Sequence, residues 1–565
     1  MTMPHRHFRK RLLTALAAAT VAFAAGAQDQ PDNVRLPDLG SSANALISPQ
    51  EAQDYGAMML QQMHALDMVV DDPLLDDYIN NLGFRLVANS AKPKDHFAFF
   101  IAKDPVINAF SAPGGYIGIN SGLIVITRSE DELAAVMAHE IGHITQNHLQ
   151  RAYEAAKKDT PLLALVALGA IAAGGAAGGQ AAAATLLGGQ GVLMQKQINF
   201  TRKDEAEADR TGIETLAKSG YDPNAMAGFF QRMEDEMSAD SAIDVPSLLL
   251  DHPVTAQRIS DAKARAGALV AAQKLQPSGN LLDKDRWAQQ TAPIAYVKDP
   301  TALLAAGGTN KSTANTYLLM RERVRVLSSD AYRMSTYYAG LLGRQDGRYN
   351  TPEIHYGYAL SLIRSSQGGK AVAQLEPLLQ KYPDNLILRL AMADARLQDG
   401  QRASALELYA ALNTESPRNK AIGLAYATAL TQGGSKEQAA QAANLLRPML
   451  EDTQEPSLFT AYARASERAG DTVRSGEAYA QASYLSGRPF DAMEQLKSLL
   501  KRNDLDYYAR ARIQAHIADL TPLVLELRKR RVSTDDNPDG TSQTQQQLGG
   551  CTGRLCLGLD ANPGK

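Results

Sequence analysis

The chain has little cysteine, a single tryptophan and almost no excess of charge of either sign. Its 565 residues include two cysteines, and its formal net charge is −3. Two cysteines cannot build a disulfide-held scaffold, so a packed core must stabilise the fold. A charge this close to zero offers no field for nucleic acid, and we expect no nucleic-acid partner. The 45% hydrophobic and 21% charged residues exclude wholesale disorder and a collagen-like repeat.

The N-terminal residues have the order of a secretory signal peptide. Four basic residues precede an uncharged apolar run at 12–25, and small residues follow at 25–27. That order predicts cleavage after residue 27, with an uncleaved membrane anchor as the alternative. The run is shorter than the ~20 residues that span a bilayer, which favours the signal peptide. We therefore expect the mature protein outside the cytosol.

Composition divides the rest of the chain into four parts, each with its own character. The predicted parts are a motif-rich domain at 28–270, a linker at 271–310, a helical repeat domain at 311–525 and a flexible tail at 526–565. The tail contains Cys551 and Cys556, four intervening residues apart. In an oxidising compartment a small local disulfide is favoured there over half of a metal site.

The third part repeats itself with a period close to 34 residues. Pro383 and Pro417 are 34 residues apart, and each stands two residues before an asparagine. Glycines follow a similar period: Gly400, Gly434 and Gly470. Helices are predicted between these markers, at 386–397 and 402–412. The pattern resembles the tetratricopeptide repeat, which stacks into a curved α-solenoid with a binding surface, and an irregular helical domain is the alternative.

A His-Glu-x-x-His string at 139–143 has the chemistry of a metal site. Ser129 and Glu132 predict a capping box, so the string lies on a helix that begins near residue 130. His139 and His143 are one turn apart on one face, where both imidazoles can bind one tetrahedral Zn²⁺. Glu140 lies beside them as a general base for a metal-activated water. The alternative is a solvated helix that carries two histidines.

A zinc site of this type needs a third protein ligand, and Glu205 is the better candidate. His148 follows His143 by five residues on a helix predicted to continue, so it points roughly 140° away and is rejected as a ligand. Glu205 and Asp209 are spaced i, i+4 on one helical face, which suits a carboxylate ligand and an aspartate that orients a ligating histidine. Glu207 is predicted to lie on another, solvated face.

At this point the sequence resembles a known family. The segments 108–117 and 121–124, the His-Glu-x-x-His string and the acidic 205–209 segment occur in the order found in gluzincin peptidases. With a signal peptide in front and repeats behind, the chain resembles the periplasmic β-barrel assembly-enhancing proteases. The implied fold is mainly α: a zincin domain with a small β-sheet, followed by an α-solenoid of tetratricopeptide-type repeats.

The resemblance implies a role for each residue of the motifs. His139, His143 and Glu205 would bind one Zn²⁺ per subunit, and Glu140 would be the catalytic base. Asp209 would assist as a proton donor or by orienting a ligand.

The resemblance also implies where an unfolded substrate segment lies. It would align through main-chain hydrogen bonds along an edge strand formed by Tyr116, Ile117, Gly118 and Ile119. Our secondary-structure predictions for this region are helices at 60–66 and 74–86 and strands at 97–101 and 116–119.

A further histidine matches the family's His-Pro segment. We hypothesise that His252 takes the fourth zinc position and keeps the enzyme latent, since a closed four-ligand site lacks the open position that catalysis needs. Arg258 would place that loop or bind the substrate oxygen. The alternative is that His252 is a loop residue packed before Pro253.

An uncharged stretch at 160–195 separates the two motif helices. A mobile helical flap over the cleft is favoured there, also by the resemblance, over a transmembrane hairpin. We therefore expect at most peripheral contact with a membrane.

Two classes of function remain. The first is a zinc endopeptidase of the bacterial periplasm that cuts misfolded or stalled outer-membrane proteins. The second is a non-proteolytic chaperone or scaffold whose repeats bind the outer-membrane barrel-assembly machinery. The complete set of metal-site residues favours the first.

Overall fold

The computed structural model describes residues 48–152, 202–239, 248, 251–275, 314–451 and 453–529. The predicted signal peptide, the 160–195 stretch, the residues of the linker from 276 on and both cysteines lie outside these ranges. Within them the chain is mainly helical with one small sheet, as predicted. No helix of the described residues has the length and apolarity needed to cross a membrane.

The motif-rich half combines helices with three short strands. Its helices are α1 Pro49–Ala65, α2 Pro73–Ala88, α3 Ser121–Ile126, α4 Glu130–Thr145, α5 Arg202–Lys218, α6 Ala225–Ala239 and α7 Ala256–Leu275. Its strands are β1 Ala98–Ala102, β2 Ala109–Ala112 and β3 Tyr116–Asn120. The predicted helix at 74–86 and the strands at 97–101 and 116–119 are confirmed within two residues, whereas the helix predicted at 60–66 is only the end of α1, which begins at Pro49. Helix α7 continues to residue 275, past the predicted start of the linker.

The sheet has the order β1-β3-β2, with β1 parallel and β2 antiparallel to β3. Strand β3 is therefore central, and the prediction that Tyr116, Ile117, Gly118 and Ile119 form an edge strand is wrong. The edges are β1 and β2, and β2 packs against α4. Sequence analysis missed β2 because its four residues, two of them alanine, are too few to show an alternating pattern.

Ser129 caps the start of helix α4: its side chain accepts a hydrogen bond from the Glu132 backbone N–H at 3.3 Å. The predicted return hydrogen bond of the capping box, from the Ser129 backbone N–H to the Glu132 side chain, is not formed. The Glu132 side chain instead accepts a hydrogen bond from the Arg128 backbone N–H (2.8 Å) and pairs with Arg232. The cap still fixes the start of the helix, and the i, i+4 spacing within it places both histidines on one face.

Two glycines allow α4 and α5 to approach closely. A Cβ atom at Gly142 would lie 3.0 Å from the carbonyl oxygen of Ala208 and 2.9 Å from Thr211 Oγ1. A Cβ atom at Gly212 would lie 3.2 Å from the Ala138 carbonyl. Both backbone contacts are closer than most Cβ atoms make, so a larger residue would press against the neighbouring helix that carries motif residues.

The second half consists of helix pairs joined by short loops. Its helices are α8 Thr316–Leu327, α9 Ala331–Leu342, α10 Pro352–Arg364, α11 Gly368–Lys381, α12 Leu386–Gln398, α13 Arg402–Glu415, α14 Lys420–Thr431, α15 Lys436–Leu446, α16 Pro456–Ala469, α17 Thr472–Leu485, α18 Pro489–Leu500 and α19 Tyr507–Lys529. From α10 on, the pairs begin at residues 352, 386, 420, 456 and 489, close to the predicted period of about 34. Each helix contacts the next, and α10, α12, α14 and α16 also contact one another in turn. This is the packing of an α-solenoid.

The repeated Pro-x-Asn pattern ends one helix pair and begins the next. Asn385 and Asn419 cap α12 and α14 by accepting hydrogen bonds from backbone N–H groups three residues on, both at 3.0 Å. The turn glycine of the third repeat is Gly433 (φ 65°) rather than the predicted Gly434. Helix α19 continues to residue 529, past the predicted start of the tail.

The two halves are in direct contact. Arg323 on α8 donates to both carboxylate oxygens of Asp72, at 2.8 and 2.6 Å, and Asp72 also caps α2. Tyr317 donates to the backbone oxygen of Thr127 at 2.9 Å. Helix α2 contacts α8 and α14, so the motif-rich half packs against the first helices of two of the pairs.

Candidate metal centre

Helix α4 places two imidazoles and a carboxylate in a closed interior. His139, Glu140 and His143 are at most 4% exposed. The Nε2 atoms of His139 and His143 are 2.9 Å apart, as expected for residues one turn apart on one face.

Helix α5 brings Glu205 to the same point. Its Oε2 atom lies 3.4 Å from His139 Nε2, and its Oε1 atom lies 3.5 Å from His143 Nε2. The side chain is buried. The structure thus brings together the three residues predicted as ligands from two separate motifs.

The segment before α7 adds a fourth donor. His252 Nδ1 lies 3.4 Å from His139 Nε2 and 2.9 Å from Glu205 Oε1. Its other nitrogen, Nε2, is 3.6 Å from Glu140 Oε1. His252 is therefore a buried member of the cluster and lies between the other donors and Glu140.

These four side chains fit a tetrahedral metal ion. Their donor atoms all lie within 4.8 Å of one another, and the separations given above range from 2.9 to 3.5 Å. Donor atoms around zinc with bonds of 2.0–2.1 Å stand about 3.3–3.4 Å apart, which matches this cluster.

Charge and unsatisfied polar atoms also favour a cation. Among the described residues, neither oxygen of the buried Glu140 carboxylate has a hydrogen-bond partner. Three buried carboxyl groups, those of Glu140, Glu205 and Asp209, accompany a single buried guanidinium, that of Arg258. A divalent cation fits this excess of carboxyl groups, because buried charges are stable only when paired or bound to a metal.

Arg258 and Asp209 support the cluster from one side. Arg258 donates to both oxygens of Asp209 at 2.8 Å, and its Nη1 atom lies 2.9 Å from Glu205 Oε2. Asp209 Oδ1 in turn lies 3.0 Å from His139 Nδ1. Arg258 also donates to the Pro253 backbone oxygen at 2.9 Å, which ties the His252 segment to the site.

The pKa directions follow from these contacts. Burial alone would raise the pKa of Asp209, but Arg258 and His139 lower it below its usual value. Burial would likewise raise the pKa of Glu205, and the neighbouring His252 and His139 lower it. Both carboxylates are therefore held as anions. For Asp209 this favours orienting His139 through their 3.0 Å contact over the alternative of proton donation.

The predictions for His148 and Glu207 were wrong in their geometry. Helix α4 ends at residue 145, and Asn147 takes a left-handed backbone conformation (φ 56°) before helix resumes at residue 148. This break turns His148 back, so that its Nδ1 lies 2.8 Å from His143 Nδ1. Its Nε2 lies 3.3 Å from Glu207 Oε2, which is therefore not solvated on a separate face. Asparagine's tolerance of the left-handed region was the available signal.

The fold and the centre define the class: an α-helical metallopeptidase of the His-Glu-x-x-His type, with a carboxylate ligand from a second helix. Comparison with known proteins gives the same class. Residues 73–266 match the model of peptidase family M48. That segment contains every residue of the centre.

Other relatives match over most of the chain. A "Putative beta-barrel assembly-enhancing protease" of Vibrio cholerae is 34% identical over 394 residues, 69% of this chain and 72% of its own length. A "Beta-barrel assembly-enhancing protease" of Yersinia pestis is 31% identical over 516 residues, 90% of this chain and 97% of its own. The protein of that name from Escherichia coli K12 is 31% identical over 526 residues, 92% of this chain and 98% of its own. The chain belongs to the beta-barrel assembly-enhancing proteases of peptidase family M48 and is a metallopeptidase.

Proposed function

We propose that this protein is a zinc-dependent endopeptidase of the bacterial periplasm that cuts misfolded or stalled outer-membrane proteins and supports their assembly. The observation that carries the proposal is the convergence of four donor atoms beside the buried, unpartnered carboxylate of Glu140. The predicted signal peptide supports the location. The names of the relatives support the link to outer-membrane β-barrel assembly.

In this proposal each residue of the centre has one task. His139, His143 and Glu205 hold Zn²⁺, which would polarise the attacking water and the scissile carbonyl. Glu140 accepts the proton of that water and delivers it to the leaving amine. Asp209 accepts a hydrogen bond from His139 and fixes its orientation, and Arg258 fixes Asp209 and Glu205.

We propose that the substrate main chain aligns along β2 instead of β3. Strand β2 is the sheet edge that packs against α4, so a peptide added there passes the residues of the centre. The start of β2 also contacts the His252 segment. Asn108 donates to Asp251 at 3.0 Å, and the Leu248 backbone N–H donates to the Ile107 oxygen at 3.1 Å.

His252 is proposed as the latch that closes the centre. Its Nδ1 atom takes the place of a fourth donor, and its ring lies next to the Glu140 carboxylate, where an attacking water must bind. In this arrangement the centre has four protein donors, which is typical of a structural and inactive zinc site. Cleavage then requires the segment before α7 to move.

The position of His252 as a fourth donor also favours a second function, in which the protein acts as a chaperone or scaffold with its metal centre closed. The solenoid would bind the barrel-assembly machinery, and α2 already packs against two of its helices, α8 and α14. The two functions are compatible in one molecule, because the first needs an open centre and the second does not.

The test compares the purified mature wild type with Glu140→Gln and His252→Ala. Zinc content and cleavage of casein, an unfolded substrate, are measured for each, with the exposed His516→Ala as control. Glu140→Gln should keep its zinc and lose cleavage by at least about a hundredfold, since the general base is removed. His252→Ala should keep zinc through three ligands and cleave several-fold faster.

Two results would contradict these proposals. Casein cleavage by zinc-loaded Glu140→Gln at the wild-type rate would exclude the proposed mechanism. An unchanged rate for zinc-loaded His252→Ala would exclude the latch. Support of barrel assembly in cells by Glu140→Gln would show that the scaffold function does not need hydrolysis.

A further inference from the structure

Both histidines of the His-Glu-x-x-His string have a partner on the nitrogen that faces away from the centre. His139 Nδ1 lies 3.0 Å from Asp209 Oδ1, and Arg258 holds Asp209 through two hydrogen bonds. His143 Nδ1 lies 2.8 Å from His148 Nδ1. A metal-binding histidine needs such a partner, because the second hydrogen bond fixes which nitrogen is left free for the metal.

His148 is itself held on its far side. It is 1% exposed, and its Nε2 lies 3.3 Å from Glu207 Oε2. Arg151 Nη2 donates to Glu207 Oε2 at 2.7 Å and to Asp204 Oδ1 at 3.0 Å. A chain of contacts thus runs from His143 through His148 and Glu207 to Arg151, as the opposite chain runs from His139 through Asp209 to Arg258.

The positions of the protons follow from the geometry. Nε2 of His143 faces the centre, 2.9 Å from His139 Nε2, and must be unprotonated to bind a metal ion. His143 then carries its proton on Nδ1 and donates it to His148 Nδ1. His148 in turn carries its proton on Nε2, and the Glu207 carboxylate accepts that hydrogen bond. Each ring nitrogen has one role in this arrangement.

The alternative interpretation is that His148, Asp204 and Glu207 bind a second metal ion, since their donor atoms lie close together. Two observations argue against it. The Arg151 guanidinium already binds both carboxylates. The Nδ1 atom of His148 faces His143 and is engaged there.

We propose that His148 is a positioning residue of the metal centre: it holds His143 in the tautomer whose Nε2 binds the metal ion, and Glu207 holds His148. The proposal rests on the metal centre proposed above. It predicts that His148 controls metal affinity without contacting the ion.

The test measures zinc affinity by competition with a chromophoric chelator, together with the visible spectrum of the Co²⁺-substituted protein. The variants are His148→Ala, His148→Asn, Glu207→Gln and, as control, His516→Ala. His148→Ala should weaken zinc binding by about 10- to 100-fold and shift the cobalt bands, because His143 loses its acceptor. His148→Asn should recover part of the affinity, since its amide oxygen lies near the position of Nδ1. His516→Ala should match the wild type.

A double-mutant cycle separates positioning from a general effect on folding. Asparagine at 148 does not reach Glu207, so Glu207→Gln should weaken zinc binding in the wild type and have no further effect in His148→Asn. These two variants also decide the question if His148→Ala does not fold. The proposal would be overturned if Glu207→Gln weakened zinc binding equally in both backgrounds, or if it weakened zinc binding in neither.

The remaining outcomes are distinguishable. Wild-type zinc affinity and cobalt spectrum in His148→Ala would overturn this inference alone, provided that His143→Ala loses its zinc. Two zinc ions in the wild type, one of them lost in His148→Ala and retained in His143→Ala, would replace it with the second metal site. A folded wild type without zinc would overturn both this inference and the proposed function.

Discussion

Asp77, near the start of α2, shows how a single partly buried carboxyl group ties the stability of this protein to pH. Burial raises its pKa to about 6, with Lys420 lowering it and Glu455 and Asp72 raising it further. An aspartate in an unfolded chain titrates near 3.9, so the folded state holds its proton more tightly. The contribution of Asp77 to the stability of the folded protein therefore falls as the pH rises from about 4 to 6, and the loss persists above pH 6.

We expect Asp77→Asn to stabilise the protein by about 1–3 kcal/mol at pH 7.5 and to have almost no effect at pH 4. Asparagine keeps the shape of the side chain and removes the charge that burial penalises. Urea unfolding of wild type and variant at several pH values measures this, with the exposed Asp95→Asn as control. A difference that does not change with pH would show that Asp77 is not the titrating group.

The predicted positions of site residues agree with the structure where the geometry is local in sequence. His139, Glu140 and His143 share a helix, and the i, i+4 spacing of Glu205 and Asp209 placed both on one face. His148 was misplaced, because the single left-handed residue Asn147 changes the direction of everything after it. A rotation angle calculated from an unbroken helix cannot include such a break.

At the scale of elements, the contact between α8 and the start of α2 joins the two halves. Arg323 and Asp72 form a bidentate pair, and the side chains are 14% and 11% exposed. Tyr356 also accepts a hydrogen bond from Arg323, at 3.2 Å. Removing one partner of a buried pair leaves the other charge uncompensated.

We expect Arg323→Ala to lower the free energy of unfolding by about 3–5 kcal/mol. Arg323→Lys should restore only part of it, because an ammonium group cannot bind both carboxylate oxygens in the same planar geometry. Urea unfolding near neutral pH measures both variants. A loss below about 0.5 kcal/mol for Arg323→Ala would show that the pair does not stabilise the junction.

Element-level prediction was strongest for the repeats and weakest for the sheet. The helices at 386–397 and 402–412 were confirmed, since proline, asparagine and glycine mark their ends. Strand order is decided by pairing between distant segments, which the pattern of a single strand does not contain. For this reason the sequence could not show that β3 is central and that β2 is the sheet edge next to α4.

At the scale of the whole molecule, the centre connects segments that are far apart in sequence. Its donors come from α4, α5 and the segment before α7, so a bound ion joins three parts of the chain. The order of the domains could be predicted from composition, whereas contacts such as Tyr317 with Thr127, 190 residues apart, could not.

We therefore expect metal removal to destabilise the whole molecule. An ion that binds only the folded state adds about 4 kcal/mol when its free concentration is a thousandfold above Kd. A chelator should lower the thermal midpoint of the wild type, and added zinc should restore it. His143→Ala, which lacks a ligand, should respond to neither; an equal response in that variant would place the stabilising ion elsewhere.

The most direct measurement is a crystal structure with diffraction data collected on both sides of the zinc absorption edge. We expect one anomalous peak per chain, coordinated by His139, His143 and Glu205, with His252 as the fourth ligand and Glu140 beside it. A peak at another position, or protein of full zinc content with no peak between these residues, would contradict the proposed metal centre.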